Sequence, residues 1–189
     1  MGCIQIKSCN KHNNNNNNNN KNNKNYSKLI EVKENKIDIK KFINDAFNQH
    51  NYYRKLHNSP LLTINNDLIT YSQNFANEMS IKDDDSHSNC IWKEDLIIGE
   101  SIYSSNKFFT GKDMTNYFYD ENKYYDFEKS ICETKASRFT QMIWKKTKEV
   151  GFGIAYSNKS GKYYAVANYY PTGNSLGEYK ENIEKKNSK

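Results

Sequence analysis

The chain has 189 residues and a formal net charge of +6, with 26% charged and 35% hydrophobic residues. This length allows one domain of ordinary size plus a tail. No stretch is apolar enough to span a membrane, and no apolar segment follows Met1 as it would in a secretory signal peptide. No basic helix carries base-reading side chains, so we expect no nucleic-acid partner.

Cysteine usage favours a reducing compartment. The four cysteines stand at positions 3, 9, 90 and 132, and they are too few for a dense disulfide framework. Cys90 and Cys132 have no neighbouring motif that would activate a nucleophile. Both are predicted to be buried structural thiols.

Residues 1–36 are predicted to form a disordered tail. The asparagine tract at 13–20 buries no apolar surface, so it would act as a flexible tether. Lysines are scattered through the tail, where they meet either an anionic membrane or only water.

Gly2 and Cys3 are candidate lipidation sites. Removal of Met1 would make the Gly2 amine the acceptor of a myristoyl chain, and Cys3 beside it would take a palmitoyl chain. Two chains hold a protein stably on a membrane, whereas one binds only marginally. Ile6 stands where the myristoylation motif favours Ser or Thr, so a chance Met-Gly-Cys sequence is the alternative.

Four helices are predicted from apolar residues at helical spacing. Their ranges are 38–57, 66–79, 110–121 and 134–146. Asp38 is the expected N-cap of the first helix, and the Thr110 hydroxyl is expected to cap the Asp113 N–H in the third. Predicted inward-facing side chains of the first two helices are Ile39, Phe42, Ala46, Tyr53, Leu68, Tyr71, Phe75 and Met79. The mixed pattern at 97–102 predicts neither a helix nor a strand.

Two strands follow the helices. The segments 150–156 and 163–169 are rich in β-forming residues, and turn residues at 158–161 join them, which predicts an antiparallel hairpin. Helices first and a hairpin last indicate an α+β layered domain, placed at 37–178. Residues 179–189 are predicted to be a charged C-terminal tail.

Four short segments resemble signatures of one protein family. They are HNYYR at 50–54, GESI at 99–102, SRFTQMIWKKT at 137–147 and NYYPTGN at 168–174. In this order they resemble the CAP superfamily of cysteine-rich secretory, antigen 5 and pathogenesis-related proteins. The resemblance implies a three-layer α-β-α sandwich of the CAP (SCP) type. The branch most similar to this chain is the Golgi-associated plant pathogenesis-related branch, which is intracellular, myristoylated and without the secreted members' disulfides. Ala167 stands where the last signature usually has Cys.

The resemblance also implies a cleft with two histidines and two glutamates. Carried over by motif, these places fall on His87, Glu100 and Glu121, with Arg138 in place of the second histidine. A guanidinium only donates hydrogen bonds and stays charged, so it cannot be a metal ligand. We therefore expect no zinc and no other cofactor, and we expect Arg138 to pair with Glu100 or Glu121. Alternatively, His87 is an exposed loop residue and the glutamates form a structural ion-pair network.

An aromatic cluster follows the third helix. Its members are Tyr117, Phe118, Tyr119, Tyr124, Tyr125 and Phe127. Core residues with surface tyrosines are one interpretation, and an apolar cleft for a lipid is the other.

Three hypotheses about function are open. The first is a non-enzymatic, membrane-tethered module on the cytosolic face of Golgi or endosomal membranes. The resemblance implies sterols, fatty acids or acidic phospholipids as its ligands, and a protein partner or a homodimer is also open. The second is a hydrolase or protease using His87 with Glu100 or Glu121, and no catalytic residue is assigned. The third is a secreted, extracellular effector.

Overall fold

The computed structural model describes residues 37–129 and 134–187. The helices are α1 Ile39–Leu56, α2 Asn66–Lys82, α3 Gly111–Tyr119, α4 Ser137–Ile143 and α5 Tyr179–Asn182. The strands are β1 Thr63–Ile64, β2 Ile91–Trp92, β3 Leu96–Ile97, β4 Gly99–Ser105, β5 Glu149–Tyr156 and β6 Tyr163–Tyr170. The residues predicted as an N-terminal tail, with Gly2 and Cys3, lie outside the described residues, and so does Cys132.

Four strands form the central sheet in the order β1-β5-β6-β4. β1 runs parallel to β5, whereas β5 and β6, and β6 and β4, are antiparallel. β2 and β3 form a separate two-stranded ribbon. β4 is therefore an edge strand of the main sheet, which matters for the site described below.

Alternate residues of β6 face opposite helical layers. Tyr163, Ala165, Ala167 and Tyr169 belong to the larger core, with side chains from α1, α3 and α4. Tyr164 and Val166 belong to a smaller core that includes Ala76 and Met79 of α2. Because successive side chains of a strand point to opposite faces, one strand serves both cores. The α+β, three-layer α-β-α sandwich is confirmed.

Two glycines let α2 lie directly on β5. A Cβ built on Gly151 would lie 2.2 Å from the backbone carbon of Leu68, and one on Gly153 would lie 2.5 Å from the Cα of Gln73. Neither position has room for a side chain. The close approach also lets the Ser72 hydroxyl donate to Asn168 Oδ1 at 2.8 Å, which links α2 to the last strand beside the candidate site.

The first predicted helices and the hairpin are confirmed. The Asp38 side chain accepts from the Lys41 N–H at 2.8 Å, and Thr110 forms a reciprocal capping box with Asp113. Three helices end differently from the prediction. α2 continues to Lys82 instead of ending at Met79. α3 gives way to a 3₁₀ turn at Asp120–Tyr124, and the helix predicted at 134–146 is a 3₁₀ turn at Thr134–Ala136 followed by the shorter α4.

The predicted inward faces of α1 and α2 are partly correct. Phe42, Ala46, Leu68 and Met79 are buried, and Tyr53, Tyr71 and Phe75 are half-buried. Ile39 is exposed, contrary to the prediction, although Ile37 before it and Phe42 after it pack against the core.

The domain extends past residue 178. Tyr179, Asn182 and Ile183 are buried, and the Lys145 N–H donates to the Asn182 carbonyl at 3.2 Å. The Asn187 N–H donates to the carbonyl of Leu56 at 3.1 Å. The predicted charged tail at 179–189 is therefore corrected: apolar residues among the charges fasten this segment to the domain as far as residue 187.

The segment at 97–102, which the sequence assigns to neither a helix nor a strand, contains the first four residues of a seven-residue strand. Gly99–Ser105 is β4, and all seven of its residues are in register with Tyr163–Tyr169. Its pattern does not alternate in the usual way because the polar side chain of Glu100 is buried on the same face of the strand as Ile102.

Candidate functional site

Arg54 is a fully buried structural residue of α1. Its Nε–H donates to the Pro60 carbonyl at 2.7 Å, and Nη1 donates to the carbonyls of Met142 and Trp144, each at 2.9 Å. Nη2 donates to the Thr147 carbonyl at 2.9 Å. Among the described residues no carboxylate pairs with it. Burial lowers the pKa of Arg54 to about 10, so it remains a cation that ties α1 to the end of α4.

His50, one turn earlier, is also buried and structural. Its Nε2 accepts from the Tyr169 hydroxyl at 2.9 Å, and its Nδ1–H is assigned to donate to the Ala46 carbonyl at 2.8 Å. Burial lowers the pKa of His50 to about 3, so the ring is neutral. The family-like segment at 50–54 therefore supplies packing rather than a reactive group.

Glu100 on β4 holds the loop that carries His87. One carboxylate oxygen accepts from His87 Nδ1 at 3.0 Å and from the Ser88 N–H at 2.9 Å. The other accepts from the Ser88 hydroxyl at 2.8 Å and from Asn168 Nδ2 at 3.3 Å. The Glu100 side chain is 0% exposed, whereas that of His87 is 62% exposed. Burial alone would raise the pKa of Glu100, but the hydrogen bonds from His87, Ser88 and Asn168 hold it below its usual range.

Cys90 lies beside this pair. Its Sγ is 3.8 Å from the Ser88 hydroxyl oxygen and 3.9 Å from Glu100 Oε1. It is half-buried rather than buried as predicted, because its loop lies at the surface. Burial and the Glu100 carboxylate raise the pKa of the Cys90 thiol, which favours the protonated form and does not fit a nucleophile.

Glu121 and Arg138 form a second pair at the start of α4. Glu121 Oε2 accepts from the backbone N–H of Arg138 at 2.9 Å and of Phe139 at 3.3 Å, and Oε1 pairs with Arg138 Nη1. Ala136 at the N-cap offers no side-chain oxygen, so the distant carboxylate supplies the cap. Arg138 Nε also donates to the Ile102 carbonyl on the edge strand β4 at 3.2 Å. The sequence left Glu100 and Glu121 as alternative partners of Arg138, and in the structure Arg138 pairs with Glu121.

The four cleft residues thus form two separate pairs, His87 with Glu100 and Glu121 with Arg138. His87 lines a cavity of about 590 Å³ beside α2, while Glu121 and Arg138 line another of about 400 Å³ beside α3. The two cavities share no lining residue. Both pairs contact β4, one through the side chain of Glu100 and the other through the Ile102 carbonyl.

This donor set does not fit a zinc ion. Zinc takes lone pairs from neutral imidazoles, thiolates and carboxylates. Here the Glu121 oxygens are engaged by a guanidinium and two backbone N–H groups. Within residues 37–129 and 134–187, no three His, Cys, Asp or Glu side chains are grouped so that they could hold a metal ion.

The aromatic cluster divides between the core and the surface. Phe118 and Tyr125 are buried, Tyr119 and Phe127 pack against the core, and Tyr117 and Tyr124 are exposed. The interpretation of core residues with surface tyrosines describes this arrangement. The two exposed rings flank the cavity that contains Arg138.

Comparison with known proteins places the chain in a family. The model of the CAP family, described as the cysteine-rich secretory protein family, matches residues 47–169. The chain belongs to the CAP family. The CAP domain is 32% identical over 152 residues to the Golgi-associated plant pathogenesis-related protein 1 of Homo sapiens, which covers 76% of this chain and 93% of that protein. It is 30% identical over 143 residues to Protein PRY2 of Saccharomyces cerevisiae, which covers 75% of this chain and 41% of that protein.

Solved structures show the same fold. The venom allergen-like protein 4 of Schistosoma mansoni matches with a TM-score of 0.57 and 21% identity, covering 77% of this chain and 95% of that one. NaASP2, solved with Zn²⁺, matches with a TM-score of 0.57 and 18% identity, covering 76% of this chain and 85% of that one.

None of the described helices is both long enough and apolar enough to cross a membrane.

Sequence reasoning missed the residues that complete each pair. Ser88 and Asn168 donate to Glu100; Asn168 stands in the family-like segment at 168–174, and Ser88 directly follows His87. Lys123 and Lys135, which line the Arg138 cavity, carry no motif, so only the fold reveals them.

Proposed function

We propose that this chain is a non-enzymatic CAP domain held on a membrane, where it binds lipids or partner proteins. Membership of the CAP family supports the general class of protein. The name of the Golgi-associated relative supports an association with the Golgi or another membrane. The cytosolic face remains our proposal over the extracellular alternative.

The observation that carries the non-enzymatic part is the state of the two glutamates. Glu100 accepts from four donors, and its side chain is fully buried. Glu121 caps α4 and pairs with Arg138. A general base needs a lone pair within reach of a substrate proton. Here both carboxylates are already used to hold the domain together.

The rival function is a hydrolase built on His87 and Glu100. The 3.0 Å contact between His87 Nδ1 and the carboxylate favours it, because such a contact orients an imidazole and leaves Nε2 facing outward. Among the described residues, this site supplies no nucleophile. The Ser88 hydroxyl donates to Glu100, and the thiol of Cys90 lies near Glu100 with a raised pKa.

Membrane attachment is proposed through the N-terminus. A myristoyl chain on Gly2 and a palmitoyl chain on Cys3 would together hold the protein stably. The asparagine-rich segment would then let the domain reach lipids and partners at some distance from its anchor.

Fractionation of the full chain tests the proposal. We expect the wild type in the membrane pellet and Gly2→Ala in the soluble fraction, with Cys3→Ser intermediate, and mass spectrometry of the N-terminal peptide should show the acyl chains. Incubation with a peptide library should give no cleavage beyond that of His87→Ala. A soluble, unacylated wild type would refute the tether, whereas cleavage that depends on His87 would establish the hydrolase.

A further inference from the structure

The larger of the two cavities described above lies between α2 and the loop that carries His87. It measures about 590 Å³, within the range of ordinary ligand sites. Its second wall is the loop at 87–89. Its first wall is one face of α2, where side chains three or four positions apart are neighbours, and consists of Tyr71, Asn74, Phe75, Glu78 and Lys82.

The charges around this cavity offset each other. Lys82 Nζ lies 3.1 Å from Glu78 Oε2, so the two charged groups of the α2 wall are paired. Behind the loop, the buried Glu100 carboxylate accepts from His87 Nδ1 at 3.0 Å and from the Ser88 hydroxyl at 2.8 Å. An anion in the cavity would be opposed by both carboxylates, and a cation would be opposed by Lys82. This arrangement favours a ligand without net charge.

Polar groups with free hydrogen-bonding capacity line the cavity. The side-chain amide of Asn74 makes no hydrogen bond within the described part of the chain. Asn89 Oδ1 accepts from the Ile91 N–H at 3.2 Å, whereas no described residue accepts from its Nδ2. His87 contacts Glu100 through Nδ1, and its Nε2 has no partner among the residues that the structure describes. Because an amide both donates and accepts, these groups suit a ligand whose own groups do the same.

Two aromatic rings supply the apolar part of the wall. Tyr71 and Phe75 are four positions apart on α2, and both are half-buried. Within residues 37–129 and 134–187, neither ring packs against another aromatic ring. The Tyr71 hydroxyl oxygen lies 3.4 Å from both Ser88 Oγ and Asn89 Oδ1, which places this side chain beside the loop. The face of an aromatic ring is electron-rich, so it attracts the C–H groups of a ligand's skeleton.

We propose that this cavity binds a neutral sugar. A sugar ring carries hydroxyls around its rim, which both donate and accept, and C–H groups on its faces. The hydroxyls suit Asn74, Asn89 and His87 Nε2. The C–H face suits the ring of Tyr71 or Phe75. An acyl chain would instead leave the amides without partners, which costs free energy.

Saturation-transfer difference NMR of the full chain tests the site, with the methyl glycosides of glucose, mannose, galactose and N-acetylglucosamine as probes. At least one glycoside should receive magnetisation from the protein, most of it at the C–H groups of the face that lies on the aromatic rings. Its affinity should change little from low to high salt, since no ionic contact is screened. Glucose 6-phosphate should bind more weakly than methyl glucoside, because Glu78 and Glu100 oppose its charge.

Variants of the α2 wall locate the binding. Tyr71→Phe keeps the ring and should retain most of the affinity, whereas Tyr71→Leu keeps only an apolar side chain and should lose binding. Asn74→Ala should bind about fivefold more weakly or worse, as expected for the loss of at least one hydrogen bond. This variant tests the site without unfolding the domain, because Asn74 is exposed and Ala is favourable in a helix. Asn77→Ala, also exposed on α2 but outside the cavity, should bind like the wild type.

The matching disaccharide separates two sources of the sugar. Tighter binding than that of the methyl glycoside supports a glycan chain as the ligand, and equal binding supports a single sugar ring.

Three results would overturn the sugar site. The first is no transfer to any of the four glycosides, and the second is equal affinity in the wild type, Asn74→Ala and Tyr71→Leu. The third is glucose 6-phosphate binding that is tighter than that of methyl glucoside and weakens with salt, which would identify an anion site. Failure of the membrane attachment would leave these measurements unchanged, because methyl glycosides need no membrane. The two proposals can therefore fail separately.

Discussion

Two arginines of this domain show how surroundings decide what a residue does. Arg54 is completely buried and gives its donors to four backbone carbonyls, whereas Arg138 is partly exposed, pairs with one carboxylate and keeps one nitrogen idle. Both stand in segments that resemble family signatures. The first ties α1 to the end of α4 and to the loop before β5, and the second contributes to a cavity. A signature residue therefore identifies the fold before it identifies a function.

The largest expected effect is at Arg54. Arg54→Ala removes four hydrogen bonds from buried carbonyls and leaves a cavity, so we expect a loss of about 3–5 kcal/mol or more in the free energy of unfolding. Urea denaturation measures it. Lys55→Ala, at the exposed neighbouring position, should change stability by less than about 0.5 kcal/mol. Equal losses in the two variants would contradict the structural role of Arg54.

His50 extends the contrast to pH. Its pKa is lowered to about 3 in the folded state from the ordinary 6.5, so the unfolded chain takes up this proton first. The contribution of neutral His50 to the free energy of unfolding is therefore intact above pH 6.5. It is lost as the pH falls toward 3, by about 1.4 kcal/mol per pH unit. Burial lowers the pKa of His57 as well, which adds loss in the same direction.

Denaturant unfolding at a series of pH values checks this expectation. His50→Gln should be less stable than the wild type at neutral pH, with a shallower pH dependence below 6.5, because one titrating group is gone. An unchanged slope in the variant would show that His50 is not buried as a neutral ring.

A smaller effect is expected at Glu121. Glu121→Ala deprives two N–H groups of α4 of their acceptor and Arg138 of its partner, so we expect a loss of about 2 kcal/mol. Asp120→Ala changes an exposed carboxylate of the same turn and is the matched control. Thermal unfolding measures the loss of stability in each of the two variants. A loss no greater than in the control would mean that the capping arrangement contributes nothing to stability.

The smallest expected effect is at Thr110. Thr110→Ala removes one side of the capping box at the start of α3, which typically costs about 1 kcal/mol. Thr110→Ser keeps the hydroxyl and should restore most of the stability in the same urea titration. A serine variant as unstable as the alanine variant would point to packing of the threonine methyl group rather than to capping.

Local signals in the sequence predicted what depends on neighbours along the chain. The caps at Asp38 and Thr110 and the hairpin of β5 and β6 follow from residues a few positions apart. The resemblance to the CAP family supplied the layers of the sandwich and named the cleft residues. Neither source predicted that Glu121 caps α4, because that cap joins residues 17 positions apart through the tertiary fold.

Burial explains the remaining differences. The segment after residue 178 reads as charged, yet Tyr179 and Ile183 supply enough apolar surface to dock it. The pattern of β4 is obscured by Glu100, a buried carboxylate that becomes intelligible only once its donors from the His87 loop are seen. Lys123 and Lys135 illustrate the limit of sequence reasoning, since isolated lysines give no signal of a shared cavity.

Arg138 and two backbone N–H groups occupy the Glu121 carboxylate, whereas His87, Ser88 and Asn168 occupy that of Glu100, so we expect neither carboxylate to hold a metal. Calorimetric titration of the wild-type protein with Zn²⁺ tests it most directly, with His87→Ala titrated in parallel. We expect no saturable binding in the sub-micromolar range for either protein. Sub-micromolar binding by the wild type that disappears in His87→Ala would contradict it.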